Sequence, residues 1–181
     1  QKPLTHNIRE ARLLTEMARS QKVVTQMGNQ GASNPLLQLV QQWVDSDQIG
    51  KISKVQVWTN RPVWPQGIAM APPDASQKPA DLNWDLWLGP VTERPYTPNL
   101  HPFNWRGWWD YGCGGLGDIG CHCLDAPFWT LQLGMPEKVE VVEQKPGPLK
   151  AYTAPESHII FHFPARGPLP PVKLHWYEGG L

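Results

Sequence analysis

Three short runs of alternating side chains fall close together near the end of the chain, with no helix-forming stretch between them. Residues 138–143, 157–163 and 172–177 each change face at every residue. In the second run Ile159, Phe161 and Phe163 stand opposite His158, Ile160 and His162. Parallel neighbours usually need a helical crossover, whereas these runs are joined by stretches rich in Pro and Gly, which favours antiparallel pairing. An earlier run, 52–58, sets Ser53, Val55 and Val57 against Ile52, Lys54, Gln56 and Trp58. The pattern predicts an α+β fold: a predominantly antiparallel open sheet with helices on one face.

Helical periodicity places the helices. Residues 7–22 carry Ile8, Ala11, Leu14, Met17 and Ala18 on one stripe, and Asn7 with Glu10 forms a capping-box variant. Residues 36–46 put Leu36, Leu39, Val40, Trp43 and Val44 on one side, and 115–133 reads as a third helix entered through glycines. Residues 23–27 read as a short buried strand broken by Gly28. A helix followed by a strand is half of a crossover unit, so 1–27 reads as the tail of a preceding α/β domain and 28–181 as a second, incomplete one. The chain opens Gln1-Lys-Pro without Met and closes in a strand and turn, which predicts an internal piece of a longer protein. Residues 60–101 form a long Pro- and Trp-rich loop in which only 81–88 suggests a helical turn. Loops of that length in compact domains usually carry function or an interface.

Composition narrows the function classes. Formal net charge is zero, which removes the electrostatic case for nucleic acid or an anionic membrane. Three Cys, at 113, 121 and 123, make a poor disulfide framework, and no apolar run is long enough to span a bilayer. Cytoplasmic location is the default, with export left open by the N-terminus. Ten Trp and 20 Pro point to long aromatic-lined loops.

The chemistry concentrates in residues 104–129, which combine four Trp, a glycine cluster, three Asp and a His. Asp118 and His122 are four apart and share a helical face. A carboxylate beside an imidazole orients and charge-tunes a general base; the plainer alternative is a helix-start Asp and a partly buried His. Gly112, Gly114 and Gly117 match the G-x-G-x-x-G dinucleotide fingerprint, but no apolar strand precedes them and Asp118 would repel phosphate at the helix start. His122, Cys121, Cys123, Asp118 and Asp125 form a possible metal set, yet Cys-x-Cys on a helix points its sulfurs apart, so no metal is expected.

The order of features is similar to a known family. Lys2-Pro3-Leu4, a helix and the Val23–Gln30 stretch Val-Val-Thr-Gln-Met-Gly-Asn-Gln come first. Ile49-Gly50 then leads into a strand, followed by Asp85-Leu-Trp-Leu-Gly-Pro90 and Gly117-Asp118-Ile-Gly-Cys-His122. The chain resembles the glucose–fructose oxidoreductase/inositol dehydrogenase/rhizopine-catabolism (Gfo/Idh/MocA) family, in particular its Trp-rich bacterial branch with His-Pro-Phe-Asn-Trp-Arg before the glycines. The resemblance implies an NAD- or NADP-dependent oxidoreductase of a sugar, polyol or sugar derivative, with the cofactor bound mainly by an N-terminal Rossmann domain that ends near 27. It implies Lys2 beside nicotinamide and substrate, Pro3 shaping that turn, and Asp118 and His122 at the substrate. The family has Glu where Gln1 stands. Asn29, Trp64, Trp105 and Arg106 are further candidates for substrate contact, since aromatic platforms with a few hydrogen-bonding groups suit a sugar face. The resemblance also implies a homo-oligomer paired through the open sheet face. A redox-neutral glycoside-cleaving relative and a non-catalytic binding or assembly module are the alternatives.

Overall fold

The computed structural model describes residues 4–145 and 152–181. Helix α1, Ile8–Gln21, starts where the capping residues place it: Asn7 Oδ1 accepts from Glu10 N at 3.0 Å, and the Glu10 carboxylate accepts from His6 N at 2.8 Å. It ends on Lys22 in the left-handed region, φ 53°. Its apolar stripe is exposed along its length. Residues 23–27 do not form the expected buried strand: they are extended, and Val24 is 98% exposed. A strand exists by pairing, and no strand lies alongside this segment among the described residues.

Helix α2, Leu36–Asp45, precedes strand β1, Lys54–Trp58. The long loop follows, with helix α3, Trp84–Leu88, its main regular element. The glycine-entered helix comes as two pieces, α4, Gly114–Cys123, and α5, Asp125–Thr130. Pro127 explains the interruption: it has no N–H to give to Cys123 O and its ring crowds that turn. Strands β2, Lys138–Lys145, β3, Glu156–Phe163, and β4, Val172–Glu178, match the three alternating runs.

The sheet order is β1-β4-β3-β2. β2 pairs antiparallel with β3, and β3 with β4; β1 joins β4 in parallel, with Lys54 beside Lys173 and Trp58 beside Tyr177. The sheet is therefore mixed, with the helical layer and long loop forming the crossover from β1. Alternation on β4 turns Val172, Leu174, Trp176 and Glu178 inward, and all four are buried. Leu131, Leu133, Phe163, Val172 and Leu174 form the core, joined by Val44 from α2, Val55 and Val57 from β1, and Leu124.

The other sheet face is open. Trp58 is 71% exposed there, and His158, His175 and Tyr177 stack at 4.2–6.1 Å. His158 Nε2 and His175 Nδ1 are 3.0 Å apart, so one nitrogen of the pair must be unprotonated to accept. Burial, then Lys54, His158 and Lys173, push the His175 imidazole down, which keeps that arrangement available.

Two predictions follow from this packing. Leu174→Ala, at a fully buried site, should cost about 2–5 kcal/mol in urea unfolding. Glu178 is the one carboxylate on the inner face of β4, and burial, against hydrogen bonding from Ser157, raises its pKa. The folded carboxyl thus holds its proton to higher pH than the unfolded one. Its contribution to stability is full below the unfolded value and declines as pH rises through the folded value. Glu178→Gln removes that decline, so its melting-temperature gain over the parent should widen from about pH 4 to about pH 7.

Candidate active site

Helix α4 opens on a close approach. Gly114 has φ +64°, and a Cβ there would lie 2.8 Å from Thr153 Cβ, so both conformation and space demand glycine. Asp118 and His122 fall inside α4, four apart and hence on one face. In front of the helix the 3-10 turn Asn104–Gly107 presents Trp105 and Arg106. Arg106 Nε is 3.5 Å from Asp118 Oδ1. That contact is an ion pair without an aligned hydrogen bond, since Nε is buried and unpartnered. The guanidinium is fixed by other means: Nη1 donates to Phe103 O at 2.8 Å, and Cζ lies 4.4 Å from the Trp105 ring and 4.5 Å from Phe103.

These groups border a cavity of about 250 Å³ lined by Trp105, Arg106, Asp118, Tyr111, Trp109 and Cys113, together with Thr5 and His6. Tyr111 Oη is buried without an aligned partner, and burial pushes its phenol up while Arg94 pulls the other way. It therefore stays protonated and able to donate. The site thus offers a carboxylate, a guanidinium, a phenol and indole faces within one small space.

The expected residues are distributed unevenly. Trp105, Arg106 and Asp118 line the cavity together. His122 is one turn further along α4, outside that lining. Asn29 reaches the same helix, with Nδ2 donating to Cys121 O at 2.8 Å, and its Oδ1 is buried and unpartnered. Trp64 sits behind the site: it is 5% exposed, edge-on to Phe103 at 5.8 Å and 5.6 Å from Arg106 Cζ, so it acts on the cavity through Arg106. Lys2 and Pro3 lie outside the described residues. Thr5, His6 and Tyr111 were not singled out by sequence. Tyr111 sits between Trp105 and Asp118 in the chain and was within reach of local reasoning, whereas His6 is far away in sequence and only folding brings it here.

A Cβ at Gly115 would run into Glu178 Oε2, so a carboxylate already occupies the space against the first turn of α4. Among the described residues no three His, Cys, Asp or Glu side chains converge as metal ligands.

Residues 36–155 match the model of the Gfo/Idh/MocA oxidoreductase family for its C-terminal α/β domain. The chain belongs to this family. A provisionally designated oxidoreductase from Klebsiella pneumoniae, solved by crystallography, shares the fold at TM-score 0.52 and 16% identity. The match covers 99% of this chain and 38% of that one. No curated protein matches significantly. No helix among the described residues is long and apolar enough to cross a membrane.

Gly112 packs on the backbone of the turn that carries Arg106, and a Cβ there would lie 2.7 Å from Arg106 Cα and 2.9 Å from its carbonyl oxygen. Gly112→Ala should therefore cost about 1–3 kcal/mol and displace Arg106, read as a rise in acrylamide quenching of tryptophan fluorescence.

Proposed function

We propose that this chain is the substrate-side domain of an NAD- or NADP-dependent oxidoreductase that acts on a sugar, polyol or sugar derivative by hydride transfer. The observation that carries the reading is the Arg106–Asp118 pair set among indole rings beside the helix that bears His122. Aromatic faces suit the C–H face of a sugar ring, while the ion pair and Tyr111 suit its hydroxyls. Family membership supports the reaction class.

Oxidation of a secondary alcohol removes a proton from oxygen and a hydride from carbon; the nicotinamide supplies the hydride acceptor when bound. In this reading His122 takes the proton as general base, Lys2 favours the developing alkoxide, and Pro3 shapes the turn that presents it. Asp118, already charge-paired with Arg106, holds a substrate hydroxyl and sets the field at His122. The dinucleotide phosphates are left to a Rossmann domain of which residues 1–27 are the tail, since the glycines of this chain are backed by Glu178. The exposed apolar stripe of α1 supports that assignment. A second copy pairs across the open sheet face, where Trp58 and the stacked His158, His175 and Tyr177 offer an aromatic surface.

Three measurements check this. Calorimetry of the chain alone with NAD or NADP should show no micromolar binding; such binding would move the phosphate site into these residues. In an enzyme supplied with its dinucleotide-binding half, His122→Ala should slow the chemical step by about 10²–10⁴-fold with cofactor affinity little changed. Lowered stability with unchanged turnover would assign His122 to packing instead. Sedimentation at high concentration should show association that Trp58→Glu abolishes.

A further inference from the structure

We propose that Glu178 is a positioning residue of the candidate site: from β4 it supplies the carboxylate that holds the first turn of α4 and so fixes where Asp118 and His122 stand. The chemical roles of Asp118 and His122 rest on the proposed function. The hold on their helix does not, and the two can be read separately.

Helix α4 lacks a cap of its own. Its N-cap, Cys113, makes no side-chain hydrogen bond to the first turn, and that turn contains no acidic residue. The N–H groups at a helix start have no partners within the helix and carry the positive end of its dipole. Gly114 and Gly115 are both buried, so water does not supply acceptors there freely. Glu178 does. It is 4% exposed, and it reaches Gly115 so closely that a Cβ at that glycine would lie 3.3 Å from Glu178 Cδ and run into Oε2.

The carboxylate is held from the sheet side as well. Ser157 and Glu178 face each other across the β3–β4 pair, and Ser157 Oγ donates to Oε1 at 2.7 Å. The Trp176 indole and the Leu116 N–H favour the charged form of the carboxylate against its burial, and Oε2 itself makes no aligned hydrogen bond. A buried carboxylate is costly, and a pure packing role would be met better by an apolar side chain. Its place at a helix start without a side-chain cap gives its acceptor oxygen a function: it ties α4 to β4. Asp118 and His122, carried one and two turns along a ten-residue helix, inherit that position.

The test compares two variants of the whole chain. Glu178→Gln keeps an oxygen acceptor for α4 and a polar group for Ser157, whereas Glu178→Met keeps a similar volume with no acceptor. Amide hydrogen exchange is followed at Leu116 and Gly117 against the Leu174 amide of the core, together with the His122 ring resonances by NMR. In Glu178→Met, exchange at Leu116 should quicken by about tenfold beyond any change at Leu174, the scale of a lost helix cap, and the His122 resonances should move. Glu178→Gln should return both to within about twofold of the parent. Unmoved Leu116 and His122 in the Met variant, a change shared equally with Leu174, or failure of Gln to restore them would overturn the proposal. Should Glu178→Met not fold, Ser157→Ala loosens the same carboxylate. It should quicken Leu116 exchange by a smaller factor, and no effect there would overturn the proposal equally. None of these readouts needs a substrate. Intact turnover in His122→Ala would sink the catalytic reading while leaving the helix anchor in place.

Discussion

The burial of one face of β4 is the constraint on which the rest of this domain depends. Val172, Leu174, Trp176 and Glu178 point inward in succession, and none is more than 4% exposed. β4 is central, with β1 on one side and β3 on the other, so whatever covers its inner face organises both halves of the sheet. Leu131 and Leu133, just beyond α5, supply part of that cover, and Arg166 clamps the same corner by donating from Nε to Leu131 O at 2.9 Å. The helical layer is thus seated by burial of apolar area, the dominant favourable contribution to such folds.

The long loop between β1 and α4 has a different origin of order. It contains little regular structure, so its backbone polar groups must find partners elsewhere. Tryptophan side chains provide many of them. Trp84 Nε1 donates to Arg94 O at 2.8 Å, and Trp108 Nε1 to Ile68 O at 3.2 Å. Trp64 donates to Gln66, which in turn donates to Ala154 O. The same rings stack, with Trp84 and Trp87 4.7 Å apart. Trp84 and Trp108 therefore bury area and satisfy a backbone carbonyl at once. This is how so proline-rich a segment becomes a fixed wall for the cavity, with Arg106 laid against Trp105 and Phe103 and aimed at Asp118.

Much of this architecture is local and could be read from the chain. Alternation placed β2, β3 and β4 because period two is imposed by the strand itself, and short connections without helices made them antiparallel. Asn7 and Glu10 marked the start of α1 because a cap acts within one turn. The four-residue spacing of Asp118 and His122 gave their shared face for the same reason. Pro127, which divides α4 from α5, was also a local signal, and the apolar periodicity running through it concealed the break.

What tertiary structure alone decided are the meetings of residues distant in sequence. Residues 23–27 have strand composition, yet a strand requires a neighbour, and none lies alongside among the described residues. The parallel partnership of β1 with β4 depends on how the whole helical layer crosses over. Trp64, Trp105 and Arg106 looked alike as candidates for substrate contact, and only packing put the first behind the third. His6 lines the same cavity as Asp118, and Glu178 backs the glycines of α4, although more than fifty residues separate each pair. Periodicity and capping act over one or two turns and are written in the sequence; cavities and buried charges are defined by which surfaces touch, and that is settled only when the chain closes on itself.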